Sequence, residues 1–455
     1  MGVAVKIGRR DAIAVSLGVA LVVAAFVVPL LRLGIVTPLI HSTPQASHDL
    51  ANTAPIFGWW KAHVGWGTIA AVAIGIAAVL WGPGLAQRLS WRVLTLVTWI
   101  ASCGWAFSLS MIDGWHLGFA GRLVGRHEYL RQVPTIIDIP EMLRTFSSRI
   151  LDYQPNSWIT HVSGHPPGAL LTFVWLDRIG LGGGAWAGAF CLLVGSSAAV
   201  AVIVAVRAVS DEPTARMAAP FVAVAPTAIW IAVSADAYFA GVATWGIALL
   251  ALAASRTVRW PIPVAAGAGL LLGWAIFLNY GLALMGLLAL AVLISVRNRR
   301  AALAALAAAV PASMAVVVAF AVAGFRWFDG YTLVQQRYWQ GIAMNRPFQY
   351  WGWANLASVV CAIGLGSTAG LGRVLDIAAI RRRSGLHLLV LAAITAILCA
   401  DLSMLSKAET ERIWLPFTVW LTAAAAQLPY STHRWWLAAN VVGALAINHF
   451  ILTNW

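Results

Sequence analysis

Apolar runs of about 20 residues, each long enough to cross a hydrocarbon core, recur along this chain and are separated by short polar connections. The pattern predicts membrane-spanning helices near residues 12–35, 64–82, 93–112, 185–208, 216–234, 237–254, 261–279, 281–296, 301–324, 350–370, 386–405, 413–428 and 434–450. A chain in lipid must satisfy its own backbone groups, and helices do so within one segment. The expected fold is therefore all-α and polytopic, with about 13 transmembrane helices.

Basic residues orient these spans. Lys6, Arg9 and Arg10 precede the first run, which reads as an uncleaved helix with its N-terminus in the cytoplasm. The later clusters are Arg88/Arg92, Arg207/Arg216, Arg256/Arg259, Arg297/Arg299/Arg300, Arg373 with Arg381–Arg383, and His433/Arg434. All fall on that same side only if "PPGALLTFVWLDRIG" does not cross. With Asp177 and Arg178 near its end, that segment is a poor spanning helix. Residues 114–184 are thus expected to form one long extracytoplasmic loop of interfacial helices, with the part after His165 dipping against the membrane. The expected divisions are an N-terminal pair of helices at 1–92, a main membrane domain at 93–430 and a C-terminal helix at 431–455.

Composition agrees with a membrane protein. Of 455 residues, 61% are hydrophobic and 10% charged, against roughly 25% charged in soluble proteins. The net charge of +14 sits between apolar runs, so it points to topology and anionic lipid rather than to nucleic acid. Cys103, Cys191, Cys361 and Cys399 lie inside apolar segments and read as small core residues, with no disulfide. The predicted location is the plasma membrane, multi-pass.

The same bookkeeping gathers acidic residues and histidines on the outer side, so the site is expected to be extracytoplasmic. Asp113 ends the third span in "FSLSMIDGWH", where partial desolvation suits a general base; a solvated helix-end residue is the alternative. Asp236 in "VSADAYF" lies in a tight hairpin at membrane depth, although Ser234 and Asp236 are both good helix caps. "SKAETERIWLPF" offers Lys407, Glu409, Glu411 and Arg412. Arg412 can clamp phosphate with its planar fork, Lys407 can act as a point charge and Glu411 can orient Arg412; interfacial anchoring is the plainer alternative. The stretch holding Arg337 and Arg346 is rich in aromatic residues, and such a mixture suits a glycosyl phosphate. Asp49, Glu128 and Tyr280 complete the substrate-binding candidates. His161 and His165 have i, i+4 spacing in "HVSGHPPGALLTF", but Gly164 and the prolines spoil the helix that metal ligation would need. Hydrogen bonding to a phosphate or carboxylate suits them better, and a divalent metal ion stays an open alternative.

"GHPPGALLTFVWLDRIGLGG" followed after a long apolar stretch by "SADAYF" resembles the GT-C membrane glycosyltransferases. Protein O-mannosyltransferases and lipid A aminoarabinose transferases carry a similar His-Pro-Pro or Lys-Pro-Pro element, and "ERIWLPF" looks like their Arg-aromatic-Leu-Pro element. The Ala-, Val-, Arg- and Trp-rich chain is similar to actinobacterial cell-envelope transferases. The resemblance covers roughly residues 93–430. It implies a GT-C-like catalytic domain with Asp113 as base, His165 in the Pro-Pro element, Asp236 as second acidic residue and Arg412 on phosphate. Asp113 is followed by Gly where many members have a second acidic residue, Gly168 replaces an aliphatic residue, and two extra spans precede the core. Asp49 is accordingly a rival base. The implied activity is inverting transfer of a sugar, of mannose or arabinose class, from a polyprenyl-phosphate donor to an envelope glycan, lipid or protein acceptor. A transporter or flippase of lipid-linked sugars, or a non-catalytic binder of them, is the rival class; neither charges along a path nor repeated halves favour a transporter.

Overall fold

A computed structural model of the chain describes residues 7–31 and 53–453, which are mainly helical. The helices used below are α1 (Arg9–Val27), α2 (Gly67–Arg88), α3 (Trp91–Ser110), α4 (Pro167–Arg178), α5 (Gly184–Ser196), α6 (Ala198–Val209), α7 (Glu212–Ala223), α8 (Ala235–Ala254), α9 (Pro261–Ala275), α10 (Met285–Ser295), α11 (Arg299–Val322), α12 (Trp327–Gln340), α13 (Phe348–Val374), α14 (Gly385–Leu402), α15 (Thr410–Ile413), α16 (Leu415–Thr422) and α17 (His433–Phe450). Two short strands, β1 (Gly58–Trp60) and β2 (Ile451–Thr453), pair antiparallel with Trp59 opposite Leu452.

The all-α, polytopic architecture is as the apolar pattern implies. Among the described residues, eight helical segments are long and apolar enough to cross a membrane. The thirteen expected spans do not each become such a helix. Residues 185–208 form α5 and α6, which meet at Ser197 and together make one of the eight, Gly184–Val209. The run at 216–234 leaves the helix after Ala223, ahead of Pro226, which disfavours helix at the residue before it; one more turn, Ala228–Ile231, precedes α8. The run at 413–428 divides into α15, α16 and a tight turn, Ala423–Gln427. The broken segments at 216–234 and 413–428 are almost entirely buried. Their apolar side chains meet protein rather than lipid, a distinction hydropathy does not register. The runs at 261–279 and 281–296 give shorter apolar helices, Pro261–Ala275 and Tyr280–Ser295.

Helix α8 lies at the centre, packed by α5, α6, α9, α10, α11 and α16, and is the most enclosed of the spanning helices. Gly241 makes one of these approaches: a Cβ there would lie 2.3 Å from the Val194 carbonyl oxygen of α5. Small residues at such crossings let backbones meet without a hydrophobic drive from water. Helix α1 packs along α13, and α17 packs on both α13 and α2.

Contacts sort the charges into two ends. At one end Arg373 donates to Asp11 at 2.5 and 2.8 Å, and Arg10 lies 3.6 Å from Asp376. Arg216 donates to the Ala86 and Leu89 carbonyls, Arg207 stacks on Trp91, and Ser210 accepts from the Leu386 N–H. The basic clusters near residues 9–10, 88–92, 207–216 and 373–383 therefore share one end of the bundle. Asp113 and Arg346 lie beyond the opposite ends of α3 and α13. Residues 114–184 both begin and finish at that second end. Gly184 sits so close to the Ala120 carbonyl that a Cβ would come within 1.8 Å, and Arg178 donates to the Ile137 carbonyl. Helix α4 has 12 residues, about 18 Å at 1.5 Å per residue, too short for a core of about 30 Å.

Candidate active site

The site is built around the first turn of α8. Ser234 is the cap, its hydroxyl accepting from the Ala237 N–H at 3.2 Å. That leaves the Asp236 carboxylate for another partner. Asp236 is buried, its Oδ2 accepts from Arg412 Nη1, and its Oδ1 has no hydrogen-bond partner among the described residues. An unfilled carboxylate oxygen in so dry a place is costly, and it marks where a ligand hydroxyl or proton can be received.

Arg412 comes from α15, which follows a turn with Ala408 and Glu409 in the left-handed region (φ 67° and 62°). Non-glycine residues there carry about 1–3 kcal/mol of strain each, so neighbours must hold the turn. Glu409 bridges two arginines: Oε2 takes Arg412 Nη2 at 3.1 Å and Oε1 takes Arg346 Nη2 at 3.0 Å. Burial alone would raise its carboxyl; Arg346 and Arg412 outweigh that and hold it down at about 2. Arg346 also donates to the Lys407 carbonyl at 2.7 Å. Lys407 has its ammonium over Trp339 and Tyr338, 4.5 and 5.9 Å from the ring centroids, and no ion pair to a carboxylate among the described residues. Burial, then Arg346, lowers its pKa. A cation placed so, with aromatic faces as its partners, is the one best prepared to meet an added anion.

The histidine pair stands against the same cluster. His161 Nδ1 pairs with Glu128 at 2.8 Å, so one histidine does bind a carboxylate. The Tyr129 ring lies between both histidines, at 6.2 and 5.8 Å, and His165 packs on Phe239 of α8. His165 Nδ1 donates to the His161 carbonyl at 2.7 Å, and burial pushes its pKa down to about 4. At neutral pH this ring is uncharged with Nδ1 protonated, so its Nε2 accepts hydrogen bonds and does not donate them.

Glu411 is wholly buried. Its Oε1 accepts from the Phe57 N–H at 2.8 Å, its Oε2 has no partner among the described residues, and burial pushes its carboxyl up to about 7. It therefore holds the chain entering β1 rather than Arg412. Arg337 pairs with Asp152 and donates to Ser163 at 3.2 Å, tying α12 to the 114–184 excursion. Tyr280 is buried among Trp327 and Tyr331, its hydroxyl without a partner among the described residues. Asp49 lies outside the described residues.

Asp113 is placed differently from the rest. Its Oδ1 is 2.6 Å from His63 Nε2 and its Oδ2 accepts from Arg122 Nη2 at 2.7 Å. Arg122 also reaches the Thr453 carbonyl of β2 at 2.9 Å, and His63 Nδ1 donates to the Lys61 carbonyl at 2.7 Å. The structure thus joins His165, Asp236, Glu128, His161, Arg346, Lys407 and Arg412 through linked contacts, while both oxygens of Asp113 are engaged by His63 and Arg122. Sequence reasoning gave no role to His63, Arg122 or Tyr129, and none to Glu409 beyond its presence in the motif. A negative charge three residues before Arg412 is a legible helical pairing signal; His63 and Tyr129 are distant in sequence from their partners, and Arg122, nine positions from Asp113, lies beyond helical spacing.

A divalent metal would need several oxygen or imidazole ligands free to converge. Here Asp113, Asp236 and Glu409 are each bound to arginine and Glu128 to His161, and no three His, Cys, Asp or Glu side chains gather into a metal site among the described residues. The described residues do not fit a metal ion.

No family model matches the chain, and no curated protein matches it in sequence. Among solved structures it is similar to the Archaeoglobus fulgidus oligosaccharyltransferase in the apo form, at 13% identity and a TM-score of 0.53, over 80% of this chain and 57% of that one. The same enzyme in complex with Zn and sulfate is similar at 14% identity and a TM-score of 0.51, over 79% and 53% of the two chains. The chain spans little more than half the length of these structures. At such identities the likeness is one of fold: over most of its length the chain shares the fold of these structures.

Proposed function

We propose that this GT-C chain is a membrane glycosyltransferase. It would move a sugar of mannose or arabinose class from a polyprenyl-phosphate donor to an envelope glycan, lipid or protein, with inversion at the anomeric carbon. The observation that carries this is the buried Asp236–Arg412–Glu409–Arg346 network with Lys407 beside it, at one end of a spanning bundle. Fixed guanidinium groups and an ammonium held over aromatic rings are what a departing lipid phosphate needs, because preorganised charge stabilises charge that develops in the transition state.

In the proposed reaction an acceptor hydroxyl attacks the anomeric carbon, the bond from that carbon to the phosphate oxygen breaks, and the lipid phosphate leaves toward Lys407 and Arg412. The hydroxyl proton goes to a carboxylate. Asp113 is the base that the family resemblance suggests, but a base needs an oxygen within reach of its substrate, and His63 and Arg122 occupy both of its oxygens. That pairing favours the rival base Asp49, with Asp113 holding the strand pair. Asp236 Oδ1 and the accepting Nε2 of His165 are placed to receive hydrogen bonds from sugar hydroxyls. The clustering of basic connections at the other end supports a site on the extracytoplasmic side of the plasma membrane, by the positive-inside rule.

Deleting the gene should remove one class of envelope glycan. Wild type should restore it, and Arg412→Lys should restore little. Restoration by Arg412→Lys to wild-type level would contradict the assignment, and an envelope with unchanged glycans but a stranded lipid-linked sugar would favour a flippase.

A further inference from the structure

Helix α13 carries a primary amide, Asn355, wholly buried within the apolar stretch "WGWANLASVV". A polar group inside a membrane helix is costly unless it is satisfied. This one is satisfied entirely by one segment. Its Nδ2 donates to Asp401 Oδ1 at 2.8 Å and to the Ser406 carbonyl at 3.0 Å. Its Oδ1 accepts from the Ala408 N–H at 3.3 Å and the Thr410 hydroxyl at 3.4 Å. An amide has two donors and two acceptor directions, so all of its capacity is spent on residues 401–410.

That segment is the connection from α14 to α15, and it carries Lys407, Glu409 and, just beyond, Arg412. Its left-handed residues Met404, Ala408 and Glu409 (φ 59°, 67° and 62°) do not favour this shape by themselves. Among the described residues Asn355 hydrogen-bonds to none of the site's charged side chains; its one charged partner is Asp401, at the segment's start. It grips the backbone on both sides of Lys407, at Ser406 and at Ala408. The Arg346 and Tyr338 side chains hold the same stretch at the Lys407 carbonyl and N–H.

We infer that Asn355 is a positioning residue for sugar transfer: by fixing the Ser406–Thr410 turn from α13 it sets where Lys407, Glu409 and Arg412 stand relative to the donor phosphate. The inference rests on the transferase function proposed above. It places a determinant of rate in a spanning helix, on a residue that never meets substrate.

The test uses the full-length protein in lipid nanodiscs with a radiolabelled polyprenyl-phosphate sugar. Asn355→Ala should lower kcat/KM by about tenfold or more, with a raised KM for the donor, and hydrogen exchange should rise in peptides covering 401–412 and not in α8. Asn355→Ala combined with Lys407→Ala should lose less than the product of the two single losses, because residues acting through one another are not additive. Thr410→Val removes one of the four hydrogen bonds and serves if Asn355→Ala does not fold; it should give a smaller loss in the same direction. A faster-exchanging loop with unchanged kcat/KM, or losses that multiply fully, would overturn the inference. Unchanged exchange in 401–412 would overturn it too, independently of activity. Absence of transfer by wild type with every lipid-linked donor would instead defeat the transferase function itself.

Discussion

Arg412 and Asp236, 176 positions apart in the chain, form a buried ion pair at the first turn of α8, and Glu409 takes the other side of the same guanidinium. One side chain from the C-terminal third thus closes onto the central helix. Because the charges compensate each other in a dry place, removing either partner is far costlier than the pair's net worth.

That asymmetry gives the first expectation. Asp236→Ala should destabilise the protein by about 3–5 kcal/mol, since it leaves Arg412 with less compensation. Asp236→Ala combined with Arg412→Met should recover much of that stability and none of the activity. The check is a denaturation series in mild detergent alongside transfer assays. Equal stability of Asp236→Ala and wild type would mean the pair is not formed.

Glu411 should make stability depend on pH near neutrality. Its carboxyl is raised to about 7 in the folded chain against roughly 4.3 unfolded. The folded state therefore binds more protons between those values, and stability falls as pH rises. This contribution is fully present below about pH 4 and is lost as pH passes through 7. His165, lowered to about 4, acts in the opposite direction, so the comparison must be wild type against Glu411→Gln. The stability of Glu411→Gln relative to wild type should rise from about pH 5 to about pH 8, across the upper part of that window. A flat difference would refute the buried, unpaired carboxyl.

Sidedness follows from the two charged ends. In a background with Cys103, Cys191, Cys361 and Cys399 replaced by Ala, a cysteine at Tyr153, an exposed position of the excursion, should react with an impermeant maleimide in intact cells. A cysteine at Arg382 should react only after permeabilisation. The reverse pattern would put the site on the cytoplasmic side.

The all-α architecture was legible in the sequence because lipid leaves an apolar chain few alternatives, and the single-ended excursion was legible in the charges of Asp177 and Arg178. The number of spanning-length helices was not. The buried segments around Pro226 and Ala423–Gln427 are as apolar as lipid-facing ones, and hydropathy cannot tell a protein neighbour from a lipid one. In the site, Asp236, His165 and Arg412 stood out as polar groups beside apolar runs, and they do come together. The surroundings of Asp113 were hidden, since His63 lies 50 positions away and Arg122 reads as an ordinary loop cation. Asn355 was visible as an amide in an apolar stretch, but only its four hydrogen bonds reveal what it holds.

The central claim is most directly tested by transfer of labelled sugar from a purified polyprenyl-phosphate donor to envelope acceptor by the purified protein, with Arg412→Lys, Asp49→Asn and Asp113→Asn in parallel. Wild type should transfer. Arg412→Lys should lose about tenfold or more, because a lysine cannot serve Asp236, Glu409 and a phosphate with one fixed fork. Asp49→Asn should fall by about 10² or more if it is the base, with Asp113→Asn affected through stability rather than through the chemical step. Near-normal transfer by Asp49→Asn with Asp113→Asn folded but inactive would return the base to Asp113. Full transfer by Arg412→Lys, or none by wild type with any polyprenyl-phosphate sugar, would contradict the assignment of this network as a glycosyl-transfer site.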